Sequence, residues 1–239
     1  LLLTRLLERA PRLTVATQCA VCRGWGGDRL CTPCRERFMP LRPRCMRCAL
    51  RVPAGVAACG GCLTHPPPVA RALAAMDYAH PWDRLIARFK FQAALDLAPA
   101  FARCLAAAWR ASGDAVPELI VPVPLSDARL KERGYNQSWE LARRLARRIG
   151  SVADPALLLR IKDSPHQLAV PVDRRAANVA GVFAVEPTRR AAVRGRRIVV
   201  LDDVMTTGAT AHEAARVLRQ AGAAQVDLWM LARTPAPRE

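Results

Sequence analysis

The chain has 239 residues, 51% of them hydrophobic, and a formal net charge of +17. That length accommodates one domain of good size plus a small appendage, and the recurring apolar periodicity excludes a disordered chain. No apolar run approaches the ~18 residues of a membrane-spanning helix. The charge points toward polyanionic partners, although only Lys90, Lys131 and Lys162 among the 37 basic residues are lysine, and such an arginine excess also follows from genome composition.

Residues 1–13, LLLTRLLERAPRL, alternate leucines with Arg5, Arg9 and Arg12. The pattern predicts a short amphipathic helix, not the unbroken apolar core of a signal peptide. Residues 1–18 are therefore expected to form an N-terminal helical segment, and the chain to be cytoplasmic. Eight of the nine cysteines follow as four C-x-x-C pairs, Cys19/Cys22, Cys31/Cys34, Cys45/Cys48 and Cys59/Cys62. Each pair is a knuckle that turns two sulfurs toward one ion, and two knuckles complete the tetrahedral four-thiolate set that zinc prefers. Four knuckles imply two Zn²⁺ sites, structural ones, because full thiolate ligation leaves no open position for chemistry. Sequential pairing, first with second and third with fourth, is the arrangement adopted; an interleaved one uses the same residues. Disulfides would need an oxidising compartment, and a thioredoxin-type redox site would need one pair after a strand. Thiolates on two zincs would lower the net charge to roughly +13. Residues 19–65 thus read as a double zinc ribbon, a module that meets nucleic acid or protein in some chains and in others covers a face of its neighbour.

Residues 64–69, with Pro66, Pro67 and Pro68, predict a linker to a main domain over residues 70–235. Residues 70–78 read as an edge strand, and residues 82–91 and 95–110 as amphipathic helices. Cys104, among apolar neighbours, reads as a small buried hydrophobe. Lys90, between Phe89 and Phe91, could reach an anion but reads as the solvated end of a packed helix. Residues 118–124, ELIVPVP, predict a buried strand. The following LSDARLKERGYNQ is read as a loop in which Arg129, Lys131 and Arg133 converge on Gly134 beside Asn136 and Gln137. A loop rich in cations and amides after a parallel strand suits pyrophosphate. Residues 138–149 predict a helix whose Arg143, Arg144, Arg147 and Arg148 form a solvated ridge. Residues 163–185 are irregular, contain Gln167, Arg174, Arg175 and Asn178, and end in a short strand, GVFAV; a polar excursion of this length in a compact domain is read as functional.

In residues 196–210, RRIVVLDDVMTTGAT, the unbroken apolar run 198–201 predicts a strand buried on both faces of a parallel sheet. Asp202 and Asp203 follow just outside its end. Thr206, Thr207, Gly208, Ala209 and Thr210 then lead into a helix over 211–221, ended by Gly222. Small residues at a helix N-terminus can wrap an anion with backbone N–H groups and hydroxyls. The spacing fits neither G-x-x-x-x-G-K-[ST] nor G-x-G-x-x-G. Adjacent carboxylates that merely ended a strand would repel each other without compensation, so the pair is read as ligand-binding. Residues 225–232 predict a last strand. The resulting fold class is α/β, a parallel sheet flanked by helices behind a small zinc-ribbon domain.

The LDDVMTTGAT segment resembles the phosphoribosyl pyrophosphate (PRPP) loop of the type I phosphoribosyltransferases. Two further patterns make the whole chain similar to the ComF-type competence family. One is VPVPL at 121–125 followed by Arg129, Arg133, Gly134, Tyr135, Asn136 and Gln137; the other is Gln167, Arg175, Asn178, Gly181 and Phe183. The resemblance implies a type I phosphoribosyltransferase fold with five parallel strands and the ligand at their C-terminal ends. It implies PRPP with Mg²⁺, held by Asp202, Asp203 and Arg175 as catalytic residues. Residues Thr206, Thr207, Gly208, Ala209 and Thr210 would then hold the 5′-phosphate, and Arg129, Arg133, Gly134, Asn136 and Gln137 the pyrophosphate. It also implies a link to natural transformation, with single-stranded DNA, a competence helicase or other uptake proteins as partners. The sequence departs from the family in FKFQAAL, where a Gly usually follows Lys90, and at Val170, where a Leu is usual. No stretch reads as a hood for an acceptor base. A phosphoribosyltransferase of unknown acceptor, a non-catalytic PRPP sensor and a ribbon-based DNA adaptor therefore all remain open.

Overall fold

The protein is represented by a computed structural model that describes residues 16–162 and 180–236. Residues 1–15 of the helical segment expected over 1–18, and Gln167, Val170, Arg174, Arg175 and Asn178, lie outside the described residues, while Thr17–Gln18 at its end form a strand instead. The front of the chain repeats one plan twice. In the first half, β1 (Thr17–Gln18) and β2 (Trp25–Gly26) pair antiparallel around Cys19 and Cys22, and α1 (Thr32–Phe38) follows with Cys31 as N-cap and Cys34 in its first turn. In the second, an antiparallel Arg44–Arg51 bridge closes a hairpin around Cys45 and Cys48, and α2 (Gly60–Thr64) follows Cys59. Each half thus sets one knuckle on a hairpin and one at a helix start, where N–H groups favour thiolates.

The main domain runs β3 (Ala72–Asp77), α3 (Trp82–Phe91), a 3₁₀ turn (Leu95–Leu97), α4 (Ala98–Ser112), β4 (Leu119–Pro122), α5 (Asp127–Arg133) and α6 (Gln137–Ile149). It continues with β5 (Leu158–Arg160), β6 (Phe183–Val185), a second 3₁₀ turn (Pro187–Ala192), β7 (Arg197–Met205), α7 (Ala209–Gln220) and β8 (Gln225–Arg233). The main sheet is wholly parallel, in the order β3-β8-β7-β4. Its central strands are apolar on both faces because helices cover both. Val199 and Leu201 of β7 join Trp82, Phe89, Phe101, Leu141 and Leu145 of α3, α4 and α6 on one side. Ile198 and Val200 join Ala211, Ala214 and Leu218 of α7 on the other. The two-residue period of the strand distributes one apolar run between two cores.

Two further expectations change and one open alternative is decided. The fifth strand is reduced to one parallel bridge between Ile120 and Ala153, because Asp154 turns the chain by accepting from Ala156 N–H at 2.9 Å and Pro155 offers no N–H. Residues 127–133, expected to be loop, form α5, capped by the Ser126 hydroxyl and closed by Gly134 in the left-handed conformation at φ 75°. Of the roles left open for the ribbons, covering the neighbouring domain is the one observed. Leu30 shares a core with Trp82, whose Nε1 donates to Phe38 O at 2.8 Å, while Cys45, Cys48 and Ala49 share the opposite core with Val200 and Leu228. Past the proline run, Val69 is buried and Ala70 N–H donates to Val226 O at 2.9 Å, so the connection ends against the sheet.

Candidate functional site

The site arises where two neighbouring strands differ in length. β4 stops with Pro122 opposite Leu201, and Pro124 offers no N–H, whereas β7 continues alongside β8 to Met205. The acid pair therefore lies within the strand, not beyond it as expected. With no strand on the β4 side, a cleft of about 130 Å³ opens there. Asp202, Asp203, Arg129, Arg133, Gln137 and residues 206–210 all line it, together with Lys90 and Arg160, which sequence reasoning did not assign.

Asp203 is almost wholly buried, at 3% exposure. Its Oδ1 pairs with the Lys90 ammonium at 2.9 Å and accepts from Val204 N–H at 2.5 Å. Oδ2 has no partner among the described residues. Asp202 Oδ1 accepts from the Ser138 hydroxyl at 3.3 Å and from Asp203 N–H at 2.9 Å. Burial first, and then repulsion from Asp203, push the Asp202 carboxyl up to about 7 against the pull of Lys90. Burial acts to lower the Lys90 ammonium, but the Asp203 carboxylate outweighs it and leaves the group above its ordinary value. Lys90 is thus not the solvated end of a helix. It lies four residues beyond Ile86 and eight beyond Trp82, both buried, so it extends the inward stripe of α3 to the strand ends. That spacing was the signal available in the sequence.

The loop 206–208 turns directly onto α7. Gly208 takes φ 86°, and a Cβ there would lie 2.4 Å from Met205 Cε and 2.8 Å from His212 Cε1. Only glycine suits that backbone and that space. Burial, then Arg233, push His212 down to about 4, so the imidazole under the loop is neutral at pH 7. Thr207 Oγ1 accepts from Ala209 N–H at 3.4 Å. On the facing wall, Arg129 and Arg133 stand four apart on α5 and so share one face, while Lys131 does not reach the cleft. The Arg133 guanidinium lies 4.8 Å over the Phe91 ring. Its buried Nε, like the buried Gln137 Oε1, finds no partner among the described residues. Gly134 and Asn136 do not line the cleft. Gly134 ends α5, and Asn136 caps α6 by accepting from Ser138 and Trp139 N–H at 2.9 and 3.2 Å while donating to Val123 O at 3.0 Å. Arg175 lies outside the described residues.

The cysteines gather in the sequential pairing. Cys19, Cys22, Cys31 and Cys34 form one cluster and Cys45, Cys48, Cys59 and Cys62 the other, with the sulfurs of each within 4.8 Å of one another. The Cys22–Cys31 and Cys48–Cys59 sulfurs lie 3.7 and 3.6 Å apart. A zinc ion with bonds of about 2.3 Å to a sulfur tetrahedron requires separations of roughly 3.8 Å, so both clusters fit it. N–H groups of Cys31, Arg47 and Cys59 approach the innermost sulfurs at 3.5, 3.4 and 3.3 Å, an arrangement that stabilises thiolates. Cys104 is buried in the core, and burial pushes its thiol up to about 12, in keeping with a packing role. On the presumed ridge of α6, Glu140 binds both Arg143 and Arg144, so part of that charge is neutralised locally.

An acid pair at the end of a central parallel strand, a small-residue turn onto a helix and a facing cationic wall define a phosphoribosyl transferase-domain protein carrying two four-thiolate ribbons. Residues 117–239 match the family model described as Phosphoribosyl transferase domain. DNA utilization protein YhgH of Escherichia coli K12 is 34% identical over 232 residues, covering 93% of this chain and 99% of that protein. Competence protein F of Haemophilus influenzae is 30% identical over 223 residues, covering 90% and 96%. Competence protein ComFC of Bacillus subtilis is 30% identical over 150 residues, covering 62% and 58%. The chain belongs to the ComF competence family. Among solved structures, TT1426 from Thermus thermophilus aligns at TM-score 0.37 and 17% identity over 59% of this chain and 84% of that one; the fold assignment rests on topology and the family match. Among the described residues, no helix is long and apolar enough to cross a membrane.

Proposed function

We propose that the cleft binds PRPP with Mg²⁺, and that the protein acts on this ligand in the cytoplasm in connection with the handling of incoming single-stranded DNA. The observation that carries this reading is a set of buried polar atoms left without partners around one cleft: Asp203 Oδ2, Gln137 Oε1 and Arg133 Nε. Two unpaired acceptors and one unpaired donor on residues lining the cleft suit a ligand that offers both hydroxyls and phosphate oxygens. Asp202 and Asp203 accept from the ribose hydroxyls. Residues 206–210 hold the 5′-phosphate through N–H groups and hydroxyls at the start of α7. Arg129 and Arg133 take the pyrophosphate, with Gln137 beside them, while Gly134 and Asn136 shape that wall from behind. Arg175, outside the described residues, keeps only the catalytic role that the family resemblance implies for it.

In a transfer reaction the bond from C1 to pyrophosphate breaks as an acceptor attacks. The carboxylates offset the positive charge that develops on the ribose ring, and the arginines take up the negative charge that leaves. The oxygen donors of the acid pair fit Mg²⁺, which when bound would neutralise pyrophosphate charge and fix the hydroxyls. Calorimetric titration of the zinc-loaded protein with PRPP and Mg²⁺ tests the site: saturable binding is expected, lost by more than about tenfold in Asp203→Asn. No heat at millimolar ligand would refute it. Pyrophosphate release with a nucleobase would make the protein a transferase, and binding without turnover across all bases a sensor.

The names of the relatives, and Trp25 standing 76% exposed on the first ribbon beside Arg23, favour a contact with single-stranded DNA as an adjunct to this site.

A further inference from the structure

One buried guanidinium joins the second cysteine cluster to the loop of the cleft. Arg233, the last residue of β8, is 7% exposed. Its Nε donates to Cys48 O at 2.9 Å. Its Nη1 donates to the carbonyls of Met205, Thr206 and Thr234 at 3.0, 2.6 and 2.8 Å. Among the described residues no carboxylate lies within ion-pair distance of it. A buried guanidinium without a counter-charge is costly, whereas a zinc-tetrathiolate cluster carries about −2. The chain of contact continues from there. Met205 O also accepts from Thr234 N–H at 3.0 Å, and the Met205 side chain lies where a Cβ on Gly208 would fall. Cys48, Arg233, Met205 and Gly208 form one packed path from metal site to loop.

We propose that Arg233 is a positioning residue that couples the Cys45/Cys48/Cys59/Cys62 metal site to the loop 205–208, so that the loop holds its shape only while that site is metal-filled. Loss of metal there by chelation lets the freed thiolates take up protons, which removes the counter-charge and lets the guanidinium release the Met205 and Thr206 carbonyls. The first cluster, which packs beside Trp82 on the other face of the sheet, has no such connection among the described residues and serves as the internal control. The consequence for ligand binding rests on the reading of 206–210 as the phosphate loop; the coupling itself does not.

The test is amide hydrogen exchange on the full-length protein, zinc-loaded, without ligand, for wild type, Arg233→Lys, the double variant C59S/C62S and the double variant C22S/C31S. Lysine keeps the charge but cannot bridge Cys48 to Thr206 with a fork of donors. Protection of amides 205–211 is expected to fall by about tenfold or more in Arg233→Lys and C59S/C62S and to stay within about twofold in C22S/C31S. Unchanged loop protection in Arg233→Lys or in C59S/C62S, or equal loosening in C22S/C31S, would overturn the proposal. Should C59S/C62S lose protection across the whole sheet, the single variant C62S, which weakens the same metal site but leaves three of its sulfurs, takes its place, and an unchanged loop there overturns the proposal. PRPP titration of the same variants forms a second arm: if wild type does not bind PRPP, the phosphosugar reading fails while the exchange data still decide the coupling.

Discussion

A carboxyl group held near neutrality beside a second carboxylate makes Asp202 the most proton-sensitive residue of the cleft. Its folded value of about 7 lies above its ordinary 3.8, so the fold favours the protonated form. The stabilisation is complete below about pH 4 and is lost as pH rises through about 7. Urea denaturation of the unliganded protein at pH 5 and pH 8 should show this loss. Asp202→Asn, which cannot ionise, should be more stable than wild type by about 1–3 kcal/mol at pH 8 and nearly equal to it at pH 4. An unchanged difference between wild type and variant across that range would mean that Asp202 is ionised at little cost. The two adjacent carboxyls are thus costly to ionise together. At the same scale, Lys90 shows why a residue type alone is a poor guide. A lysine between two phenylalanines looks like a solvated helix end, and only its phase relative to Trp82 and Ile86 turns it inward.

Among the elements, α6 carries more of the site than its charged sequence suggests. Its Asn136 cap is bound at both ends, to the helix N–H groups and to Val123 O, so it fixes the helix to the end of β4. Ser138 then reaches Asp202, and Gln137 faces the cleft. Asn136→Ala should cost about 1–2 kcal/mol in thermal or chemical denaturation, with Asn136→Asp recovering the part due to capping alone. Equal stability of the alanine variant would show that the cap is dispensable. The short α5 is legible in Ser126 and Gly134, a cap and a left-handed stop seven residues of helix apart, although a stretch rich in cations and amides after a strand reads as loop. The acid pair lies inside β7 and not beyond it because β8 continues to pair with β7 as far as Met205 after β4 has stopped.

For the molecule as a whole, the ribbons and the sheet share their cores. Arg29 pairs with Asp96 at 2.7 Å and Arg44 with Asp77 at 2.8 Å, so both ribbons are also tied by charge to the domain behind them. Removing both zinc ions with a chelator should therefore lower the melting temperature of the whole chain by more than about 10 °C in one transition, with two zinc ions released per chain. A main domain that melted unchanged after metal release would show the ribbons to be an independent module. Within the local sequence lay everything that depends on spacing and residue type: four knuckles, the phase of each helix, the acid pair and its small-residue turn, and the family they belong to. What lay beyond it depends on which distant segments meet. The unequal lengths of β4 and β7 that open the cleft, Lys90 against Asp203, the burial of the ribbons in the two cores and the bridging of Cys48 to Met205 by Arg233 each join residues far apart in the chain. Such contacts are set by the packing of whole layers; a period within one stretch turns Lys90 inward but does not name the residue it meets.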